Sequence, residues 1–155
     1  MRAVVQRVSR AEVRTETGTI ASIGSGLCVL LAAGPADTAD LAHHLAERVA
    51  TLRIFGDDAG KMNLDARAVG AEVLVVSQFT LYADTSRGHR PSFIKVAAPE
   101  LAAELVDEFA AGVRGAGLHV ATGRFGAHMQ VELVNDGPVT IVLSSGEPPW
   151  PADAG

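Results

Sequence analysis

Apolar residues recur along this chain with two different periods. Short runs rich in β-branched residues, separated by Gly, Pro, Asp or Thr turns, are typical of strands. Two longer segments instead repeat every three or four residues, as on one face of a helix. Strands are predicted over Arg2–Val8, Glu12–Thr15, Thr19–Ile23, Leu27–Leu31, Glu72–Phe79, Leu118–Ala121, Met129–Val134 and Val139–Leu143.

Two helices are predicted between these strands. Thr38 is suited to cap the first, and Pro99 is favoured in the first turn of the second. Their apolar stripes are Leu41, Leu45, Val49 and Leu52, and Leu101, Leu105, Phe109 and Val113. Positions 73–76 are all apolar, which predicts a strand covered on both faces. We therefore predict a single compact α/β domain with mixed or antiparallel sheets, barrel-like or layered, and two main helices.

The composition fits such a domain. The chain has 155 residues, of which 48% are hydrophobic and 20% charged, as in globular proteins. We expect a cytoplasmic protein without membrane contact, because no apolar run could span a bilayer and the start lacks a secretion signal. Cys28 lies in an apolar run and is expected to be a buried structural thiol. The domain is predicted over residues 1–145. A Pro-rich tail over 146–155 is expected to be mobile or draped on a surface.

The charge balance limits the possible partners. A formal net charge of −5 argues against broad nucleic-acid binding through a basic surface. A local site remains possible, because four basic residues lie close together, although a solvated loop with ordinary surface charges also explains them. These residues, which we call the basic loop, are Arg87, His89, Arg90 and Lys95, with Arg124 further along the chain.

Metal and cofactor chemistry have little support in the sequence. His43 and His44 are adjacent, so on a helix their side chains diverge by about 100° and chelate poorly together. The other histidines have no neighbouring carboxylate or thiol at ligand spacing. No glycine-rich phosphate loop of familiar spacing is present. We expect no catalytic metal.

A polar segment, Ser77-Gln78-Phe79-Thr80-Leu81, ends the apolar run before it. It is either a strand end whose hydroxyls satisfy a turn, or a catalytic segment. In the second interpretation, the Gln78 and Phe79 backbone N–H groups, freed from the sheet, stabilise an oxyanion, each contributing about 3 kcal/mol. Thr80 or Ser77 would be a nucleophile only with a base, and no histidine is near in sequence.

A second segment, Asn135-Asp136-Gly137-Pro138-Val139-Thr140, interrupts the last apolar stretch. Gly-Pro is ordinarily a turn. The alternative is that two unshielded carbonyls form a rigid acceptor wall, since about 5–6% of prolyl bonds are cis and glycine has no Cβ. Such a wall admits an ammonium and a hydrogen on one side of an α-carbon and refuses a side chain.

With both motifs, the chain resembles the bacterial D-aminoacyl-tRNA deacylases over almost all of residues 1–145. Several separate motifs in the right order carry the resemblance. They are Gln6-Arg7-Val8, Arg53-Ile54-Phe55, Gly60-Lys61-Met62-Asn63-Leu64, Ser77-Gln78-Phe79-Thr80-Leu81, Arg90-Pro91-Ser92-Phe93, Thr122-Gly123-Arg124-Phe125 and Asn135-Asp136-Gly137-Pro138-Val139-Thr140.

The resemblance implies a homodimer with active sites at the subunit interface. Gly137 and Pro138, joined by a cis peptide, would project into the partner's pocket, which Ser77, Gln78, Phe79 and Thr80 would line. Members hydrolyse the ester between a D-amino acid and the 3′ end of tRNA, and remove glycine from mischarged alanine tRNA. The resemblance implies no metal or cofactor.

The resemblance leaves the chemistry open between Thr80 as nucleophile and activation by the tRNA 2′-hydroxyl. Physical reasoning favours the hydroxyl, because it arrives beside the ester and orientation alone can supply about 7–11 kcal/mol. Ser77 and the Phe79 N–H would then hold the carbonyl oxygen. Phe125 would stack on the terminal adenine and Arg7 would orient the Gly-Pro segment. The basic loop would meet phosphates near the acceptor end.

Two other functions remain open at this point. One is a Ser/Thr esterase that acts on small D-amino-acid esters without tRNA. The other is a dimeric RNA- or nucleotide-binding module, in which the segment at 77–81 is only a strand end.

Overall fold

The computed structural model describes residues 1–146 of the chain. Within them lie eight strands, two α-helices and a short 3₁₀-helix at Phe79–Tyr82. The strands are β1 (Arg2–Thr15), β2 (Gly18–Ile23), β3 (Gly26–Ala32), β4 (Phe55–Gly56), β5 (Met62–Leu64), β6 (Glu72–Ser77), β7 (His119–Thr122) and β8 (Gln130–Ser144). The helices are α1 (Ala39–Ala50) and α2 (Pro99–Gly115).

The main sheet is mixed, as predicted. Its strand order is β2-β1-β3-β6-β7, with β8 also pairing with β1. β1 runs antiparallel to β2, β3 and β8, whereas β3, β6 and β7 are parallel to one another. Parallel neighbours require long crossovers, and α1 and α2 supply them. β4 and β5 form a separate small hairpin, which the sequence pattern did not predict because each strand is so short.

Two pairs of predicted strands are in fact single long strands. Residues 2–8 and 12–15 form one strand, β1, and residues 129–134 and 139–143 lie together in β8. The β1–β8 register shifts between Gln6 and Val8 and again between Val8 and Arg10. Such bulges bend a strand and increase its twist. Because the bulges interrupt the alternation of apolar and polar residues, the sequence pattern predicted a strand end where each strand only bends.

This bend curls the sheet into a barrel-like shape with two apolar clusters. Val5 packs with the helices, whereas Val13, further along the same strand, packs on the opposite face of the sheet. Neighbouring residues of β3 also point into different clusters: Val29 faces the helices and Cys28 faces the second cluster. In β6, Val73 and Leu74 likewise lie in different clusters, so the prediction that the strand at 73–76 is covered on both faces is confirmed.

The helices begin where the sequence predicts. The Thr38 hydroxyl accepts a hydrogen bond from the Leu41 N–H at 3.4 Å, so Thr38 caps α1. Pro99 occupies the first turn of α2. Leu45 and Phe109 are fully buried between the helices and the sheet. Neither helix in residues 1–146 has the length and apolar character needed to span a bilayer.

The predicted boundary at residue 145 and the tail over 146–155 stay predictions. Nearly all of that tail, including its Pro-rich segment, lies outside the described residues.

Burial determines the chemistry of the single cysteine. Cys28 is 0% exposed, and desolvation raises the pKa of its thiol to about 11. Because the thiolate is the reactive form, we expect almost no alkylation by iodoacetamide at pH 8 in the folded protein and rapid alkylation in denaturant. Mass spectrometry of both samples measures the difference. Rapid labelling of the folded protein would contradict this placement.

A candidate active site at the carboxyl ends of the parallel strands

A pocket of about 350 Å³ opens where the parallel strands end. This edge of a sheet is where ligands bind in many α/β proteins. The end of β3, the residues after β6 and β7, and the start of α2 form its walls, which are mostly apolar. The lining residues that matter below are Ser77, Gln78, Phe79, Phe125 and Gly126.

Of the two backbone N–H groups predicted to be free after β6, those of Gln78 and Phe79, only that of Phe79 has no backbone acceptor among residues 1–146. The Gln78 N–H donates to the Leu31 carbonyl at 2.7 Å, extending the pairing of β3 with β6. The prediction that this N–H is freed from the sheet is therefore wrong. The predicted strand over 72–79 ends earlier, at Ser77, and Phe79 begins the 3₁₀-helix. No backbone acceptor in residues 1–146 meets the Phe79 N–H, as expected for the first turn of a helix.

Thr80 is poorly placed to act as a nucleophile. Its hydroxyl oxygen accepts a hydrogen bond of 2.5 Å from the Gln78 side-chain amide. A donor at this oxygen withdraws electron density instead of removing a proton. No histidine, aspartate or glutamate of the described residues hydrogen-bonds to the Thr80 hydroxyl. The arrangement lacks the base that a threonine nucleophile requires.

Two partly exposed aromatic rings stand at the pocket. Phe79 is 54% exposed and Phe125 is 41% exposed. Phe93 supports Phe79 edge-to-face, with ring centroids 5.0 Å apart. Sequence reasoning gave Phe93 no role, although it is part of the Arg90-Pro91-Ser92-Phe93 motif. Exposed aromatic rings of this kind offer stacking surfaces for a base.

The basic loop lies in the same chain segment as Phe93. Its four members are exposed. Lys95 Nζ approaches the Asp84 carboxylate at 3.9 Å. A hydrogen bond from Ser86, together with the charges of Lys95 and Arg87, lowers the pKa of Asp84. Asp84 therefore stays ionised and offsets part of the positive charge, while the other basic side chains face solvent.

The Gly-Pro segment protrudes from β8. On β1 the register advances from Gln6 to Val8, while on β8 it moves from Thr140 to Asn135, so residues 136–139 bulge out opposite Arg7. We call these four residues the β8 bulge. Asp136, Gly137 and Pro138 are exposed, the Gly137–Pro138 peptide is cis, and Gly137 has a φ of +115°.

Arg7 fixes the β8 bulge to the body of the domain. Its Nε donates to the Asp136 carbonyl at 3.2 Å and lies 3.2 Å from the Asp136 carboxylate. Its Nη1 donates to the Ile54 carbonyl at 2.5 Å. The Arg7 side chain is only 16% exposed, so these charge-assisted bonds are partly shielded from water. Arg7 thus contacts Asp136, next to the Gly-Pro pair, and its role in orienting that pair stays a prediction.

The β8 bulge does not line the pocket of its own chain. Arg7 pairs with Leu27 near the start of β3, whereas the pocket lies beyond Leu31 at its end. Leu27 and Leu31 are four residues apart along β3, which corresponds to a distance of roughly 13 Å. The structure thus brings together Ser77, Gln78, Phe79 and Phe125, with Thr80 beside them. It places Arg7, Gly137 and Pro138 in a second group elsewhere.

Comparison with known proteins identifies the family. The model of D-Tyr-tRNA(Tyr) deacylase matches residues 4–144. The chain belongs to this family. A D-aminoacyl-tRNA deacylase from Chloroflexus aurantiacus is 55% identical over 100% of this chain and 97% of its own length. The D-aminoacyl-tRNA deacylase from Deinococcus radiodurans is 56% identical over 92% of this chain and 99% of its own length.

Two solved structures share the fold of this chain. A structure named c-Myc DNA unwinding element binding protein has a TM-score of 0.87 and 39% identity, covering 94% of this chain and 99% of its own. A probable eukaryotic D-amino acid tRNA deacylase has a TM-score of 0.81 over 92% of this chain and 97% of its own, at 17% identity. The second likeness shows the fold alone. The predicted fold class is confirmed.

The polar groups of the pocket suit the binding of a carbonyl group. Among residues 1–146, no three histidine, cysteine, aspartate or glutamate side chains come together in a group that could hold a metal. The polar groups that the pocket offers are hydroxyl, amide and backbone N–H groups. These bind and polarise a carbonyl, which is what hydrolysis of an acyl ester requires.

Proposed function

We propose that this protein is a D-aminoacyl-tRNA deacylase that hydrolyses the ester between a D-amino acid and the 3′ end of tRNA, releasing both. It works in the cytoplasm as a homodimer and also removes glycine from glycyl-tRNA(Ala). One observation carries the proposal: in a chain of this family, Phe79 and Ser77 line an apolar pocket together, and no backbone group among residues 1–146 accepts from the Phe79 N–H.

The Phe79 N–H and the Ser77 hydroxyl hold the carbonyl oxygen of the ester. As water attacks, this oxygen becomes an oxyanion, and preorganised donors stabilise it more than they stabilise the ground state. Gln78 contributes its side chain rather than its backbone N–H, orienting Thr80 through the hydrogen bond between them. The terminal 2′-hydroxyl of the tRNA, held beside the ester, assists the attack in place of a protein base.

Gly137 and Pro138 of the partner subunit select the configuration of the amino acid. The β8 bulge is exposed and distant from its own pocket, so it is free to enter another protomer's pocket. There its two carbonyls accept from the substrate ammonium and leave no room for an L side chain. Glycine has no side chain to exclude and is therefore hydrolysed too.

The tRNA meets the protein at the aromatic rings and the basic loop. Phe125 stacks on the terminal adenine, because an exposed aromatic face beside the pocket suits an unpaired base. The basic loop and Arg124 contact nearby phosphates. This local group suits a protein whose overall charge of −5 disfavours general binding to nucleic acid.

A deacylation assay with matched substrates tests the proposal. We expect the purified protein to hydrolyse D-aminoacyl-tRNA and glycyl-tRNA(Ala), and to leave the L-aminoacyl-tRNA intact over the same time. Release of the labelled amino acid measures each reaction, with spontaneous hydrolysis as the blank. Equal rates for both enantiomers, or no turnover of either, would overturn the proposal.

A nucleic-acid-binding role is the second candidate, since one similar structure bears the name of a DNA-binding protein. Tight tRNA binding without turnover in the same assay would favour it. Equal hydrolysis of a free D-amino-acid ester and of the tRNA-linked ester would instead favour a small-ester esterase.

A further inference from the structure

A single side chain closes the base of the β8 bulge. Asn135 is the last residue paired with β1 before the bulge, and Thr140 is the first one after it. The Asn135 side chain lies between these two ends and the opposing strand. It is only partly exposed, so its hydrogen bonds are partly protected from water.

The geometry gives this amide four complementary partners. With Nδ2 toward the two carbonyls, it donates to the Arg7 carbonyl and the Val139 carbonyl, both at 3.0 Å. Its Oδ1 then accepts from Gln6 Nε2 at 3.1 Å and from the Thr140 hydroxyl at 3.0 Å. The opposite orientation would turn the oxygen toward both carbonyls and leave it one long bond of 3.3 Å from the Val139 N–H. The hydrogen-bond network therefore selects the first orientation.

These bonds span the bulge from end to end. Two partners of Asn135, at Val139 and Thr140, lie on the far side of the bulge, and the other two, at Gln6 and Arg7, lie on β1. The Arg7 side chain holds the near side through Asp136. Asn135 and Arg7 thus fix the two sides of the four-residue bulge to the same short stretch of β1.

We propose that Asn135 is a positioning residue for stereoselectivity: it holds the Gly137 and Pro138 carbonyls in the arrangement that excludes an L side chain. This inference rests on the proposed function of the β8 bulge. Steric rejection of an L side chain depends on where these two carbonyls lie more than on how strongly they bind the substrate. Carbonyls that move away no longer exclude the side chain. Loss of the amide therefore affects the rejected enantiomer more than the accepted one.

Asn135→Ala and Asn135→Asp test this role. We expect the ratio of kcat/KM for D- over L-aminoacyl-tRNA to fall about tenfold in both, mainly because hydrolysis of the L ester rises. The aspartate keeps the size of the side chain but loses both donors and sets a charge against two carbonyls. Thr140→Val, which keeps its shape and removes one donor, should lower the ratio by a smaller factor.

The controls separate positioning from stability. Glu132 lies on β8, like Asn135, and forms exposed ion pairs with Arg10 and Arg14 of β1. Glu132→Ala removes these ion pairs and should leave the D-over-L ratio of kcat/KM unchanged. A parallel fall of both rates in the Asn135 variants would make the residue merely structural and overturn the inference. If Asn135→Ala fails to fold, an unchanged ratio in Thr140→Val and Asn135→Asp overturns it. A wild-type protein that shows no preference for the D ester refutes the proposed function itself.

Discussion

Replacing Gly137 with alanine should reduce hydrolysis of D-aminoacyl-tRNA about 100-fold. A Cβ at this position would lie 2.6 Å from Arg7 Nη2 and 3.0 Å from Val139 Cγ2. The backbone φ of +115° is one that L residues rarely adopt. Either the Arg7 guanidinium or the bulge must shift, which disturbs the contacts that join them, and a displacement of about 1 Å in a positioned group can cost about 10²-fold in rate. Single-turnover deacylation measures the loss.

Gly60→Ala is a matched control for this variant. Gly60 also has a positive φ, of +75°, but nothing lies within 4 Å of an added Cβ. It lies in the turn between β4 and β5. The alanine there has the same unfavourable backbone conformation but does not collide with Arg7. We expect Gly60→Ala to lower stability modestly and to keep full activity. Equal activity of the Gly137→Ala and wild-type proteins would show that the bulge takes no part in the reaction.

Removing the 2′-hydroxyl from the terminal adenosine of the substrate should slow hydrolysis about 10³-fold. The reason is that no base among residues 1–146 hydrogen-bonds to Thr80, and none of these residues that line the pocket is a histidine, aspartate or glutamate. A positioned proton acceptor commonly contributes about 10²–10⁴-fold, and here the substrate is expected to provide it. The measurement compares the D-aminoacyl ester on tRNA ending in 2′-deoxyadenosine with the same ester on unmodified tRNA.

Thr80→Val completes this test from the protein side. Valine keeps the shape of threonine and removes the hydroxyl, so we expect a rate within about threefold of the wild type. Deleting a true nucleophile typically costs about 10⁴-fold or more. A loss of that size, together with a deoxy substrate that still reacts normally, would reverse the assignment and make Thr80 the nucleophile.

The sequence was informative where local physical preferences and the fold agree. Alternating and continuous apolar runs located the central strands, and Thr38 and Pro99 marked the starts of both helices. Cys28 was correctly expected to be buried, because its neighbours on both sides are apolar. The same patterns could not distinguish a bent strand from two strands. A bulge breaks the alternation of β1 and β8 without ending their pairing.

The sequence pattern was limited in the same way at the candidate site. The segment 77–81 and the Gly-Pro motif were both found from residue types, but which N–H groups are free depends on neighbouring strands. The Gln78 backbone N–H is not free, because it donates to the Leu31 carbonyl of the parallel strand β3. Phe93 and Asn135 acquire their contacts with Phe79 and the β8 bulge through pairings far apart in the chain.

By itself, then, the sequence determined a mixed α/β domain, its two helices, the buried thiol and the two segments that carry the candidate chemistry. Each of these depends on the character of a few neighbouring residues. Only the tertiary structure decided that the Gln78 N–H is paired whereas no described backbone group accepts from the Phe79 N–H, that no described base contacts the Thr80 hydroxyl, and that the β8 bulge lies far from its own pocket. These depend on hydrogen bonds and distances between residues that the chain separates by tens of positions.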